Sequence, residues 1–143
     1  MPVVTEAQIE AARFKTFESA ASFNRAVADF ADSIGPTMLV PFHKKLHLQG
    51  LRGIVQKTPV DTGRARGNWQ SSRDIEPVGE LGIRSGGDAV SEGVTVTRTL
   101  APYTVSYITN NLPYIEFLEA GGSDQTPAGM VSVTITELET QFP

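Results

Sequence analysis

No cysteine occurs in the 143 residues, so neither a disulfide framework nor a thiolate metal site is available. No stretch approaches the roughly 18 apolar residues of a membrane span. The opening MPVVTEAQIEAARF has no basic region leading into an apolar run, so it does not read as a signal peptide. These absences predict a soluble protein made in a cytoplasm. Glycine loops that cradle phosphate end in lysine, and none is present; Gly86-Gly87 lacks the flanking strand and helix of a nucleotide site. Carboxylates are plentiful, but none forms a recognisable pair. The residue pattern does not point to an enzyme.

What is there suffices for one domain over residues 1–143, since 40% of the chain is hydrophobic. The net charge of −4 hides a segregation. Through residue 39, three basic residues stand against five acidic ones; in 40–73, seven stand against Asp61 alone; in 74–143, two stand against ten. Such blocks suit a polar subunit whose basic patch meets a neighbour's acidic one, or they simply stay solvated.

Residues 5–34 read as a helix. Thr5 and Gln8 fit a capping box, Val4 and Ile9 a hydrophobic staple, and Phe23, Val27, Phe30 and Ile34 keep one apolar stripe. Gly35-Pro36 is expected to stop it, with glycine in a left-handed cap. A second helix is expected over 38–57, with Pro41 in its first turn and Pro59 closing it.

The stretch TPVDTGRARGNWQ then raises the one catalytic question. Asp-Thr-Gly is an aspartic-protease signature, and a single copy would need a homodimer to supply two aspartates sharing a proton. An arginine right after the glycine would keep both carboxylates ionised and destroy that sharing. The mechanical reading uses every residue: Pro59 ends the helix, Asp61 and Thr62 accept backbone amides in a turn, and Gly63 supplies positive φ. A strand would follow, with Ala65, Gly67 and Trp69 dry and Arg64 and Arg66 displayed together on the wet side.

Beyond it, Gly79 to Gly93, including Gly82, Gly86 and Gly87, reads as a protruding glycine-rich hairpin tip. Residues 93–99 and 103–109 are β-branched and alternating, so they are expected to pair. Asn110-Asn111 ends that strand, and Pro113 starts a short helix capped by Gly121. The last stretch, MVSVTITELETQF, fits a strand or a helix, with a slight lean to helix. The fold expected is α+β: two N-terminal helices and a short C-terminal one on a small antiparallel sheet.

Two further chemistries can be weighed. His43 and His47 share a helix face at zinc-binding spacing, but Lys44 stands where a zinc protease carries glutamate and no third ligand is apparent. They are expected to be surface histidines, with no metal or cofactor. The basic 44–73 segment could touch nucleic-acid phosphates, yet the sequence pI near 5.1 argues against general DNA affinity.

The residues also carry a likeness. Pro59 to Trp69, then Thr109 to Gly121, then Pro127 to Val131 resemble in order the motifs of the neck and tail-completion proteins of long-tailed bacteriophages. There a Pro-x-Asp-Thr-Gly-x-x-Arg segment is followed by an Asn-rich strand end, a Pro-Tyr, a Glu-aromatic-x-Glu-x-Gly stretch and a Pro-x-Gly-Met segment opening a last helix. The likeness spans roughly residues 55–135; with the chain ending at Pro143, the last helix would be short. It implies a non-enzymatic virion protein, commonly a ring of six, that ends the tail tube or joins tail to capsid. The implied partners are further copies of itself, the tail tube protein, a head-closure or connector protein, and phage DNA passing through the lumen without specific binding. No membrane is involved.

On that reading Arg64 and Arg66 lie at the subunit interface with Trp69 and Tyr114, facing Glu116 and Glu119 of a neighbour. The glycine-rich hairpin is an arm that orders against a partner.

Overall fold

The computed structural model describes Thr5 and residues 19–143. The expected Thr5–Gln8 box and Val4–Ile9 staple fall outside these residues. The described helix α1, Ala20–Ile34, begins at Ser19, whose hydroxyl accepts the Ser22 amide at 3.2 Å while Ser22 returns the bond at 3.1 Å.

Gly35-Pro36 does not stop this helix. The chain continues through a π-helical turn, Gly35–Leu39, straight into α2, Val40–Lys57. Proline lacks an amide hydrogen and its ring crowds the carbonyl four residues back. The wider turn absorbs both, with the Val40 amide reaching back to the Gly35 carbonyl. Gly35 is helical (φ −55°), not left-handed, and it serves close approach: a Cβ there would lie 2.7 Å from Pro102 Cβ. From Ala20 to Lys57 the helix is roughly 55 Å long.

Only its second half is packed. His47, Gly50, Leu51, Ile54 and Val55 are buried in α2, whereas no residue of α1 is. The helix ends at Thr58 (φ −65°, ψ 127°), extended as a residue before proline must be.

After the corner, the expected strand over 64–70 is instead one helical turn, α3 (Arg64–Gly67), followed by β1 (Gln70–Arg73). Ala65, Gly67 and Trp69 are indeed buried, which produced the apparent alternation. But Gly67 is buried because it presses on the Arg84 backbone, where any Cβ would collide. The two arginines therefore do not share a strand face.

The glycine-rich stretch is not a hairpin either. A loop over 74–85 leads to α4, Gly86–Thr97, started by a second capping box between Ser85 and Asp88. The segment 93–99 is thus mostly helical despite its β-branched run, because packing overrides intrinsic preference. Gly93 lets α4 cross α2 closely; a Cβ there would strike Leu51. Strand β2, Ser106–Thr109, forms as expected but pairs with β1, antiparallel, Gln70 opposite Thr109 and Arg73 opposite Ser106.

The chain closes with α5 (Ile115–Glu119), ended by Gly121 at φ +91°, and α6 (Val131–Gln141), which resolves the ambiguous last stretch as helix. The architecture is α+β. Leu51, Ile54, Val55, Trp69, Ala89 and Met130 form the core, flanked by Val90, Ile108, Ile115, Leu118 and Val131. Among the described residues, no helix is long and apolar enough to cross a membrane.

Candidate functional site

The Asp-Thr-Gly corner is built from the end of α2 outward. Thr58 is fully buried: its hydroxyl donates to the Ile54 carbonyl at 2.7 Å and accepts the Trp69 indole N–H at 2.8 Å. Arg66 lies across the helix end, its Nε and Nη2 donating to the Thr58 carbonyl at 3.1 and 2.8 Å and Nη2 reaching the Gln56 carbonyl at 3.2 Å. A cation on the last carbonyls is what the helix dipole favours.

Gly63 has φ +82°, as the turn reading requires, and a Cβ there would meet nothing, so backbone conformation alone selects glycine. Thr62 Oγ1 accepts the Arg64 amide at 3.3 Å. Asp61 is exposed and its carboxylate accepts no amide among the described residues, so that half of the expected turn does not form. An exposed aspartate on an outer corner is also not the buried, strand-flanked one that aspartic proteolysis uses.

Segments far apart in sequence meet at this corner. The Gln125 amide clamps Val60 both ways, accepting its N–H at 3.0 Å and donating to its carbonyl at 3.2 Å. Asn110 donates to the Ala65 carbonyl at 2.9 Å, and Asn111 to the Pro77 and Gly79 carbonyls at 3.0 Å. Between the two segments runs a groove of about 300 Å³, with Val60, Gly63 and Arg64 on one wall and Tyr114, Leu118 and Gln125 on the other.

Glu119 has a different task from the one expected of it. Its carboxylate accepts the amides of Met130, Val131 and Ser132 at 2.8–2.9 Å and the Ser132 hydroxyl at 2.6 Å, capping α6. Burial alone would raise its pKa, but these four bonds outweigh it and hold the carboxyl below its ordinary value.

The expected interface set is therefore scattered. Arg64 pairs with Glu80 of the same chain at 2.5 Å, Arg66 caps α2, Glu119 caps α6 and Trp69 is core. Glu116 and Tyr114 remain exposed near the groove. Of the glycines assigned to a partner-contacting arm, Gly82 is exposed and Gly87 sits at the outer start of α4. Gly86 faces Val55 and Arg66, while Gly93 faces Leu51. The charge segregation is partly spent inside the chain as well, since Lys57–Glu137 and Arg64–Glu80 join the basic block to the acidic one.

One cluster escaped the sequence reading. His47 is not on the surface; it is 4% exposed. Its Nδ1 lies 2.9 Å from Ser106 Oγ and its Nε2 3.0 Å from Ser71 Oγ, while His43 Nε2 lies 2.8 Å from the same Ser106 Oγ. Burial, then the neighbouring His43, push the His47 pKa below its ordinary value. The signal was present: His47, Leu51 and Ile54 share one helix face, so the histidine continues an apolar stripe. Serine and imidazole at this distance resemble a nucleophile and its base, but the second nitrogen of His47 meets a hydroxyl, not an orienting carboxylate. Among the described residues, no group of three or more His, Asp or Glu could hold a metal ion.

No family model, curated protein or solved structure matches this chain.

Proposed function

We propose that the chain is a non-enzymatic structural protein of a long-tailed bacteriophage, acting in the virion as a ring at the head–tail junction. There it ends the tail tube, joins tail to capsid, or does both, after assembly in the host cytoplasm. The observation that carries this reading is the first half of the long helix. Val27, Phe30 and Met38, at 50, 65 and 59% exposure, form an apolar stripe on a segment of which, among the described residues, only Gly35 is buried. A stripe of that kind belongs against another subunit.

The corner supports the same reading, because motif residues are used to brace backbone: Asn110 on Ala65 and Glu119 on α6, with Gln125, between two of the motif segments, on Val60. A rod standing off one side of a core gives a head-to-tail contact, and repetition of such a contact closes a ring when its rotation divides the circle. The stripe thus replaces Arg64, Arg66 and Glu119 as the subunit contact, with Tyr114 and Glu116 available to the tube or connector protein.

The test is assembly. Phe30→Glu places a charge in the stripe and should leave the monomer folded while abolishing self-association and binding to isolated tails in sedimentation. Electron micrographs of particles assembled without the chain should show unjoined heads and tails, or tubes of uncontrolled length. Normally joined particles in its absence would overturn the reading.

A further inference from the structure

We propose that His43, Ser106, His47 and Ser71 form an acid-sensitive latch that fastens the long helix to the sheet. The latch joins α2 to both strands: Ser106 lies on β2 and Ser71 on β1, and the imidazoles span the gap.

Hydrogen arithmetic makes this junction directional. A serine hydroxyl owns one proton, so Ser106 Oγ can donate to one imidazole and must accept from the other. With both rings neutral the chain of bonds is complete in either direction. A first proton is harmless on His43, which is only half-buried: it donates to Ser106, and Ser106 donates to His47. The second proton breaks the arrangement. Both rings then donate to Ser106, whose own proton loses its acceptor, and two cations stand one helical turn apart with one of them in the interior.

The surrounding charges do not relieve this. Glu92 of α4 approaches Ser71, but its two oxygens are taken by the Ser71 amide at 2.7 Å and by Arg84 at 2.7 Å. Arg73, directly opposite Ser106 across the sheet, is itself a cation and turns to Asp74 and to the Thr99 carbonyl. Lys44 adds a further positive charge beside His43 on α2, and α6 places Glu137 on Lys57, at the other end of that helix. Acid therefore loosens the grip of the strands on residues 43–47, just below the point where the rod leaves the core, while the Leu51–Met130 core holds.

Two readouts test this on the full chain between pH 7.5 and 5.0, above the titration of ordinary carboxylates. In ring-nitrogen NMR spectra, His47 should stay neutral to a lower pH than a free histidine. Amide exchange, corrected for intrinsic rate, should then show up to about tenfold loss of protection in residues 106–109 for each pH unit below about 6.5, levelling off once the folded His47 itself titrates. Amides around Leu51 should keep theirs.

In His47→Gln, whose side-chain amide replaces one nitrogen without titrating, the acid loss should vanish. Protection unchanged with pH in the native chain would overturn the latch. The same acid loss in His47→Gln would also overturn it. Should that variant fail to fold, a His47 midpoint at or above about 6.5 in the native spectrum overturns it.

Discussion

The two halves of the long helix contrast sharply. In residues 20–39 only Gly35 is buried, whereas residues 47–58 bury His47, Gly50, Leu51, Ile54, Val55 and Thr58. Both are helical, so helicity itself does not require a core here. The first half rests on its Ser19 cap, its alanines and the π turn that carries it past Pro36; the second half is held by everything that packs on it. A helix can thus be specified locally while its purpose is not: one half organises the molecule, the other reaches away from it.

Truncation would sharpen that contrast most. Leu51→Ala should cost about 2–5 kcal/mol, because Leu51 is fully buried and its loss leaves a cavity among α2, α4 and the core around Met130. Chemical denaturation measures it, and a loss below about 1 kcal/mol would mean that the core centres elsewhere.

A smaller effect is expected at the edge of the packed half. Glu119→Gln removes a charged cap from α6 and should cost about 0.5–2 kcal/mol at neutral pH. Because the folded carboxyl lies below its ordinary value of 4.5, its contribution is fully present above that value and is lost as pH falls through the lower folded one. Native and variant stabilities should therefore converge below pH 4.5; a constant gap would mean the charge is irrelevant. The smallest effect belongs to the rod: Phe30→Ala should change the monomer's stability by less than about 0.5 kcal/mol, in the same denaturation assay. A core-sized loss there would erase the distinction between the halves.

Legibility followed the range of the interactions. The Pro59 stop, the positive φ of Gly63, strand β2, the Gly121 stop and the lean of the last segment to helix could all be read from neighbours a few residues away. The histidines show the limit. Their shared face was readable, but Ser71 and Ser106 lie far along the chain, and only the β1–β2 pairing places them together. Arg64 and Arg66 misled for the same reason: what a cation two residues from its twin will touch depends on where Glu80 and the end of α2 come to rest.

By itself, then, the sequence determined the helix stops at Pro59 and Gly121 and the turn at Gly63, because prolines and left-handed glycines act through their own backbone and that of the next turn. Tertiary structure alone decided which glycines mark turns and which mark close approach. Gly35 lies against Pro102 and Gly93 against Leu51, and neither contact is written in the flanking residues. The same crossing that needs Gly93 turned a β-branched run into α4, since burying Ala89 and Gly93 against α2 outweighs a few tenths of a kcal/mol per residue of strand preference.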